Sequence, residues 1–242
     1  DGSPHLIGTH LSLSPTESWT LGFNRMLQFG GGPREVSTGD IINAFFDPAA
    51  NDNASTSEER AKEFGDQMAS ATSSYRFNRG MPIEIYAELA GEDTKRGNNR
   101  GVGNQAVSLG IFMPKISDNV ALRYEFNRYK TLWYVHHIYA FGNTNNGFIY
   151  GNYIADQRDF GHGIPATANK ISLDYATSGT AGWTAFLSTI NHQDKSRYDT
   201  AYEIKLEHRR QLQQNPMRLS VTLGTSVYSE NYGQLEGSIF WR

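Results

Sequence analysis

Charged residues in this chain fall at alternate positions inside stretches that otherwise read as β-strands. In Val120-Ala121-Leu122-Arg123-Tyr124-Glu125-Phe126-Asn127 the even positions are apolar, and the odd ones include Arg123, Glu125 and Asn127. Tyr202-Glu203-Ile204-Lys205-Leu206-Glu207 and Ile83-Glu84-Ile85-Tyr86-Ala87-Glu88-Leu89 alternate in the same way. Successive side chains of a strand point to opposite faces, so each strand has one greasy face and one ionic face. A soluble β-sandwich would seal the greasy face inside. A transmembrane β-barrel would give that face to lipid and keep the ionic face for its lumen.

Length and composition narrow the choice. The chain has 242 residues, no cysteine and a formal charge of −3. Disulfides and thiolate metal sites are excluded, and no nucleic-acid partner is expected from so small a charge. No apolar run approaches the roughly 18 residues of a membrane helix. The mean hydropathy of −0.55 does not exclude a barrel, because only alternate residues of its strands meet lipid. Asp1-Gly2-Ser3-Pro4 lacks the charged and apolar regions of an export signal, so an exported protein would have been trimmed ahead of it.

The period-two pattern predicts about eleven strands, near residues 5–14, 18–30, 66–77, 82–92, 105–114, 119–129, 168–177, 182–192, 198–211, 217–229 and 232–242. Short connections rich in Gly, Pro, Asn, Asp and Ser alternate with longer ones at about 31–65, 93–104, 130–167 and 193–197. Antiparallel strands running up and down would gather every long connection at one end, as outer-membrane barrels do. Aromatic residues near strand ends (Trp19, Phe29, Tyr75, Phe77, Tyr129, Trp183, Tyr228, Trp241) resemble interfacial girdles. The expected fold is therefore all-β, an antiparallel transmembrane β-barrel with short helical pieces in its extracellular loops. The last strand runs toward the periplasm, and so does the first. An odd number of strands is then expected ahead of this chain, which reads as the C-terminal part of one larger barrel domain.

The connection from Lys130 to Asn169 is the richest in chemistry. Aromatic rings bind the apolar faces of sugars, and Asn, Asp, Arg and His match their hydroxyls. On that ground Trp133, Tyr134, His136, His137, Tyr139, Tyr150, Tyr153, Asp156, Arg158 and Asp159 are candidate polysaccharide contacts. The plainer reading is a constriction loop folded into the lumen. A metal site is not expected, since His136 and His137 would point to opposite faces if extended and His162 is distant. Thr56 with Glu59 reads as a capped helical turn in the 31–65 connection.

The acids on strand faces raise glycoside hydrolysis, which needs two carboxylates at a set separation. In a lumen, acids meet bases. Glu84, Glu88, Arg123, Glu125, Glu203, Lys205, Glu207 and Arg209 are accordingly read as ion-pair ladders, with no catalytic residue, no cofactor and no nucleophile motif.

Several stretches resemble the capsule assembly protein Wzi family of Gram-negative outer membranes. They are Leu122-Arg123-Tyr124-Glu125-Phe126, Trp133-Tyr134-Val135-His136-His137-Ile138-Tyr139, Gly147-Phe148-Ile149-Tyr150-Gly151 and Ala155-Asp156-Gln157-Arg158-Asp159, supported by Gly30-Gly31-Gly32-Pro33 and Gly65-Asp66-Gln67. The resemblance implies an eighteen-stranded barrel with a periplasmic helical segment near its N-terminus, of which this chain is the C-terminal part. It also implies a lectin-like, non-enzymatic function: holding capsular polysaccharide at the cell surface. The expected surroundings are outer-membrane lipid and lipopolysaccharide, and the expected state is a monomer. A porin or diffusion channel for small polar solutes is the alternative.

Overall fold

The structure, a computed structural model, describes residues 4–31, 34–47, 64–92, 94–95, 98–130, 139, 144–145, 148–149, 165–196, 198–212 and 215–240. In chain order its elements are β1 (His5–Thr16), β2 (Trp19–Phe29), α1 (Thr38–Phe46), β3 (Gly65–Phe77), β4 (Ile83–Glu92), β5 (Thr94–Lys95), β6 (Asn98–Val102), β7 (Ala106–Ser117), β8 (Val120–Tyr129), β9 (Thr144–Asn145), β10 (Phe148–Ile149), β11 (Ala166–Ser178), β12 (Ala181–His192), β13 (Ala201–Leu212), β14 (Asn215–Thr225) and β15 (Asn231–Ile239). Eleven of the strands form one antiparallel sheet in the order β1-β2-β3-β4-β7-β8-β11-β12-β13-β14-β15. Each long strand lies beside the next long strand in the chain, so the sheet is an up-and-down meander. The pairs β5–β6 and β9–β10 are small ladders inside two of the long connections.

All eleven expected strands are present, and their ends differ from the expected ones. Ile116 and Ser117 belong to β7, which leaves only Asp118 and Asn119 for the turn. The largest shift is at Tyr228, which the alternation places inside a strand. Here β14 stops at Thr225, and residues 226–230 close a loop in which Ser226 N donates to Glu230 O over 2.8 Å. Ser229 takes a left-handed φ of 61° to make that turn. The capped turn expected at Thr56–Glu59 lies outside the described residues. The helix that is described, α1, begins earlier. Ser37 is its N-cap, and Asp40 closes a capping box with it.

By contacts the chain falls into two compact units. One comprises Asp1–Ser73, Glu88–Val107 and Tyr129–Ile164; the other comprises Ser74–Ala87, Ser108–Arg128 and Pro165–Arg242.

In the second unit the burial of the sheet is the reverse of a soluble protein's. Ile204 and Leu206 are 56% and 48% exposed, whereas Glu207 between them and the next turn is 7% exposed. The register makes this a property of the whole face. Ile171 pairs with Leu187, Leu187 with Ile204 and Ile204 with Leu223. One step along, Leu173 pairs with Ala185, Ala185 with Leu206, Leu206 with Val221 and Val221 with Leu235. The apolar side chains of five strands thus form one exposed band. A soluble sandwich cannot leave such a face open. Polar and aromatic side chains rim it. At one end Tyr124 donates to Asn169 over 2.8 Å, and Asn169 donates to Thr189 over 3.3 Å. At the other, Trp183 packs on His208 with ring centroids 4.3 Å apart. From Trp183 to Thr189 along β12 is roughly 20 Å at the usual rise of a strand, close to the ~25 Å apolar band of outer-membrane barrels.

The first unit is built on the β1–β2 hairpin. Leu11 faces Phe23 and Leu13 faces Leu21, and all but Leu21 are more than half exposed. The opposite face of the hairpin is polar and carries no Asp, Glu, Lys or Arg. His10 bonds Asn24 over 2.6 Å, and Asn24 donates to Ser70 over 2.8 Å. Toward the long-connection end both faces of β2 become covered, and α1 does part of this. Ala44 is buried against Leu27, Phe29 and Phe64, with Val36, Ile41 and Phe45 packed around them.

Candidate functional site

Two regions of the sheet carry chemistry: its polar face and its long-connection end. On the polar face of the second unit the strand register stacks side chains into rows. Asp174, Thr184, Glu207, Ser220 and Glu236 lie opposite one another on β11 to β15. The neighbouring row holds Lys205, and the row beyond Glu207 holds Arg209 beside Arg218. Glu207 sits between the cations. Its carboxylate is 3.8 Å from Lys205, 3.6 Å from Arg209 and 3.5 Å from Arg218. Lys205 also reaches Glu236 at 3.7 Å, and Arg209 reaches Asp174 at 3.2 Å. Each of these carboxylates is therefore matched by at least one base, as in an electrostatic lattice.

The other acids singled out in the sequence have separate partners. Glu84 lies 3.4 Å from Arg76, and Glu125 lies 4.0 Å from Arg123. Tyr86 donates to Glu125 over 2.7 Å, and Tyr232 donates to Glu203 over 2.8 Å. These two tyrosine bonds share one design. Each spans three neighbouring strands of the sheet order, with a glycine in the middle strand. A Cβ on Gly110 would lie 2.1 Å from the Tyr86 ring, and one on Gly224 would lie 2.6 Å from the Tyr232 ring. Only glycine leaves room for the ring to cross. Glu88 is half-buried on the Glu84 side of β4.

The long-connection end is where the sequence placed the polysaccharide contacts. Of those residues the structure describes only Tyr139. Its hydroxyl donates to Gly30 O over 3.2 Å, and a Cβ on Gly65 would meet it at 2.9 Å. Tyr139 therefore ties its connection to the ends of β2 and β3. Trp133, Tyr134, His136, His137, Tyr150, Tyr153, Asp156, Arg158 and Asp159 lie outside the described residues. Within the same connection Phe148 pairs with Asn145 and Ile149 with Thr144.

In the second unit the same end of the meander carries an aromatic stack that alternation alone did not reveal. His192, fully buried, lies 5.1 Å from the Tyr198 ring, and Tyr198 lies 5.7 Å from Tyr228. Tyr228 is the outermost of the three, at 47% exposed. Asp199 beside it accepts from the Ser229 hydroxyl, and its backbone N–H donates to Val227 O over 2.8 Å. Lys195 donates to Thr200 over 3.1 Å and to Asn191. An exposed ring beside a carboxylate and a hydroxyl group is a surface suited to a polyhydroxylated ligand. The signal that could have located it is the pair of turn-forming clusters, Asp194, Ser196, Asp199 and Thr200 in one and Ser226, Ser229, Asn231 and Gly233 in the other, which mark turns rather than strands.

A cavity of about 410 Å³ lies at the short-turn end of β11 to β14, lined by Asp174, Trp183, Arg209, Arg218, Met217 and Phe240. Of its charged walls, Arg209 pairs with Asp174, and Arg209 and Arg218 pair with Glu207. Among the described residues no group of three or more His, Cys, Asp or Glu is placed to hold a metal ion.

Comparisons with known proteins bear on this arrangement. The profile of the family described as capsule assembly protein Wzi matches residues 2–164. No protein of curated function matches the chain. Among solved structures, Wzi of Escherichia coli, an outer-membrane protein involved in group 1 capsule assembly and a carbohydrate-binding β-barrel, superposes with a TM-score of 0.66 at 19% identity. That match covers 97% of this chain and 50% of the other, so the chain spans half the length of the structure it resembles. A mutant porin of Rh. blastica aligns at a TM-score of 0.48 and 14% identity, over 97% of this chain and 55% of that one, too weak a likeness to bear on function. The family match takes in two thirds of the sequence, including the aromatic connection from Lys130 as far as residue 164. The chain belongs to the capsule assembly protein Wzi family of outer-membrane proteins.

Proposed function

We propose that this chain forms part of a closed outer-membrane barrel that binds capsular polysaccharide and holds the capsule at the cell surface, without chemical turnover of the glycan. The observation that carries the reading is the family match, because it spans the connection holding Trp133, Tyr134, Tyr150 and Tyr153. The exposed apolar face supports the membrane setting. Closure is supported by the edges of the sheet, since β1 and β15 are the outermost strands of the order among the described residues. Hydrocarbon does not tolerate open edges, so further strands complete the barrel, seven of them if the total is eighteen. The long connections then face outward from the cell and the short turns face the periplasm. The aromatic connection and the Tyr228–Asp199 surface supply rings for sugar faces and polar groups for hydroxyls.

The reading is tested by replacing Trp133, Tyr134, Tyr150 and Tyr153 together with alanine and measuring capsule retained on cells, with assembly of the barrel checked in parallel. Retention is expected to fall severalfold. Undiminished retention on a normally assembled barrel overturns the proposal. Planar-bilayer conductance addresses the channel alternative: the closed lattice of Lys205, Glu207, Arg209 and Arg218 supports low conductance, and a steady open pore would favour solute diffusion instead.

A further inference from the structure

We propose that α1 is an interfacial helix: it rides on the lipid-facing side of the barrel wall and sinks Ile42 and Phe46 into the outer leaflet. The inference rests on the membrane reading above and adds a second, non-strand contact with lipid. Its starting point is which face of β2 the helix covers. The odd-numbered side chains of β2 run Trp19, Leu21, Phe23, Arg25, Leu27 and Phe29 from the turn to the long connection. Phe23 and its neighbour Leu11 on β1 are 54% and 64% exposed and belong to the apolar face. The helix seals Leu27 and Phe29, which continue that same face. It is therefore packed outside the wall and not inside the lumen.

Arg25 fixes its height. The guanidinium donates to Ala44 O over 2.9 Å and to the side chain of Gln67. Ala44 O belongs to the last turn of the helix, where carbonyls have no intrahelical partner and the dipole favours a cation. The C-terminal end of α1 is thus pinned at Arg25, and Phe23 is the next outward side chain on that strand, roughly 7 Å along it. Ile41, Ala44 and Phe45 point into the sheet. Ile42 and Phe46, one turn apart on the adjacent stripe, are left 56% and 79% exposed. Phe46 extends from the pinned end, at the level where the apolar band begins. The opposite end of the helix carries the polar cap Ser37–Asp40, with Asp40 fully open to water. A short helix with a water-exposed polar cap at one end and exposed apolar side chains at the other, packed on the face that Phe23 and Leu11 continue, matches the chemistry of an interfacial anchor.

The chain has no cysteine, so single-cysteine spin labelling reports one position at a time. Labels at Ile42→Cys and Phe46→Cys, at Phe23→Cys as a hydrocarbon reference and at Glu35→Cys as an aqueous reference, are read by collision with oxygen and with a water-soluble nickel chelate. The protein is reconstituted in phosphatidylcholine vesicles containing lipopolysaccharide. The expected oxygen-to-nickel ratio at Phe46→Cys is severalfold above that at Glu35→Cys and approaches that at Phe23→Cys, with Ile42→Cys between. Ratios at both helix positions equal to the aqueous reference, while Phe23→Cys reads hydrocarbon, overturn the inference and leave the membrane reading intact. Labels shielded from both reagents also overturn it, in favour of a protein cover. An aqueous value at Phe23→Cys sinks the membrane reading itself.

Discussion

The polar faces around the β1–β2 hairpin and around β13–β14 solve the same problem differently. Around β1 and β2 the polar face carries no Asp, Glu, Lys or Arg: His10, Asn24 and Ser70 form a chain of hydrogen bonds, and Met26 packs with Met68 and Ala106 just beyond it. Around β13 and β14 the equivalent face is ionic, with Glu207 buried among Lys205, Arg209 and Arg218. A neutral hydrogen bond contributes about 1 kcal/mol, and its loss stays local. A buried carboxylate among three bases is coupled to all of them, so removing it leaves several charges uncompensated. The difference teaches where rigidity resides. The ionic face acts as a lattice, the neutral one as a set of independent links.

Mutations order themselves along that contrast. Gly110→Val strikes hardest. The new side chain drives Tyr86 off Glu125, adding the strain of an overpacked site to a lost charge-assisted bond, for about 3–4 kcal/mol in all. Urea unfolding of the vesicle-bound protein measures it, and a midpoint within error of the parent would show that the Tyr86–Glu125 crossing is dispensable. Next comes Glu207→Ala, expected to cost about 2–3 kcal/mol, less than the ~3–5 of a fully buried pair because Arg209 and Arg218 are half open to solvent. Its partner experiment is Asn24→Ala in the neutral region, expected at about 1 kcal/mol. Equal losses at the two sites would erase the distinction between lattice and links.

The smallest effect is a pH response confined to α1. The Ser37 hydroxyl and backbone N–H bond the Asp40 carboxylate and hold its pKa below the usual 3.8. A carboxyl whose folded pKa is lowered contributes stability that is present above the unfolded value and lost as pH falls through the folded one. Amide protection in α1 is expected to be flat above pH 3.8 and to decline below it. Asp40→Asn should abolish that decline, and a decline that survives the substitution assigns it to another group.

These contrasts also mark what could be read in advance. The eleven strands were legible because period-two alternation survives without knowing any partner. Their ends were not, since Tyr228 alternates correctly and is pulled out only by the turn that Ser226 and Ser229 close. The ionic face announces itself in Lys205, Glu207 and Arg209, whereas the neutral face around Asn24 and Ser70 resembles any polar stretch. The Tyr86–Gly110–Glu125 crossing depends on registers between strands far apart in sequence, which no single segment encodes. Helix α1 had its signature in Ser37, Asp40 and the spacing of Ile41, Ala44 and Phe45, hidden by an apolar run that also fits a packed loop. For the expected polysaccharide contacts, aromatic composition pointed to the 130–165 connection, of which the structure describes Tyr139 among the candidates, and the Tyr198–Tyr228 stack of the second unit left no mark in the alternation.

Cysteine scanning along β13 in bilayers whose lipids carry bromine quenchers at the acyl chains tests the central claim most directly. With a fluorophore at each position in turn, quenching is predicted to be strong at Ile204 and Leu206 and weak at Lys205 and Glu207, a period of two across four consecutive residues. Uniform quenching, or a pattern in which Ile204 and Leu206 are the shielded pair, would contradict it.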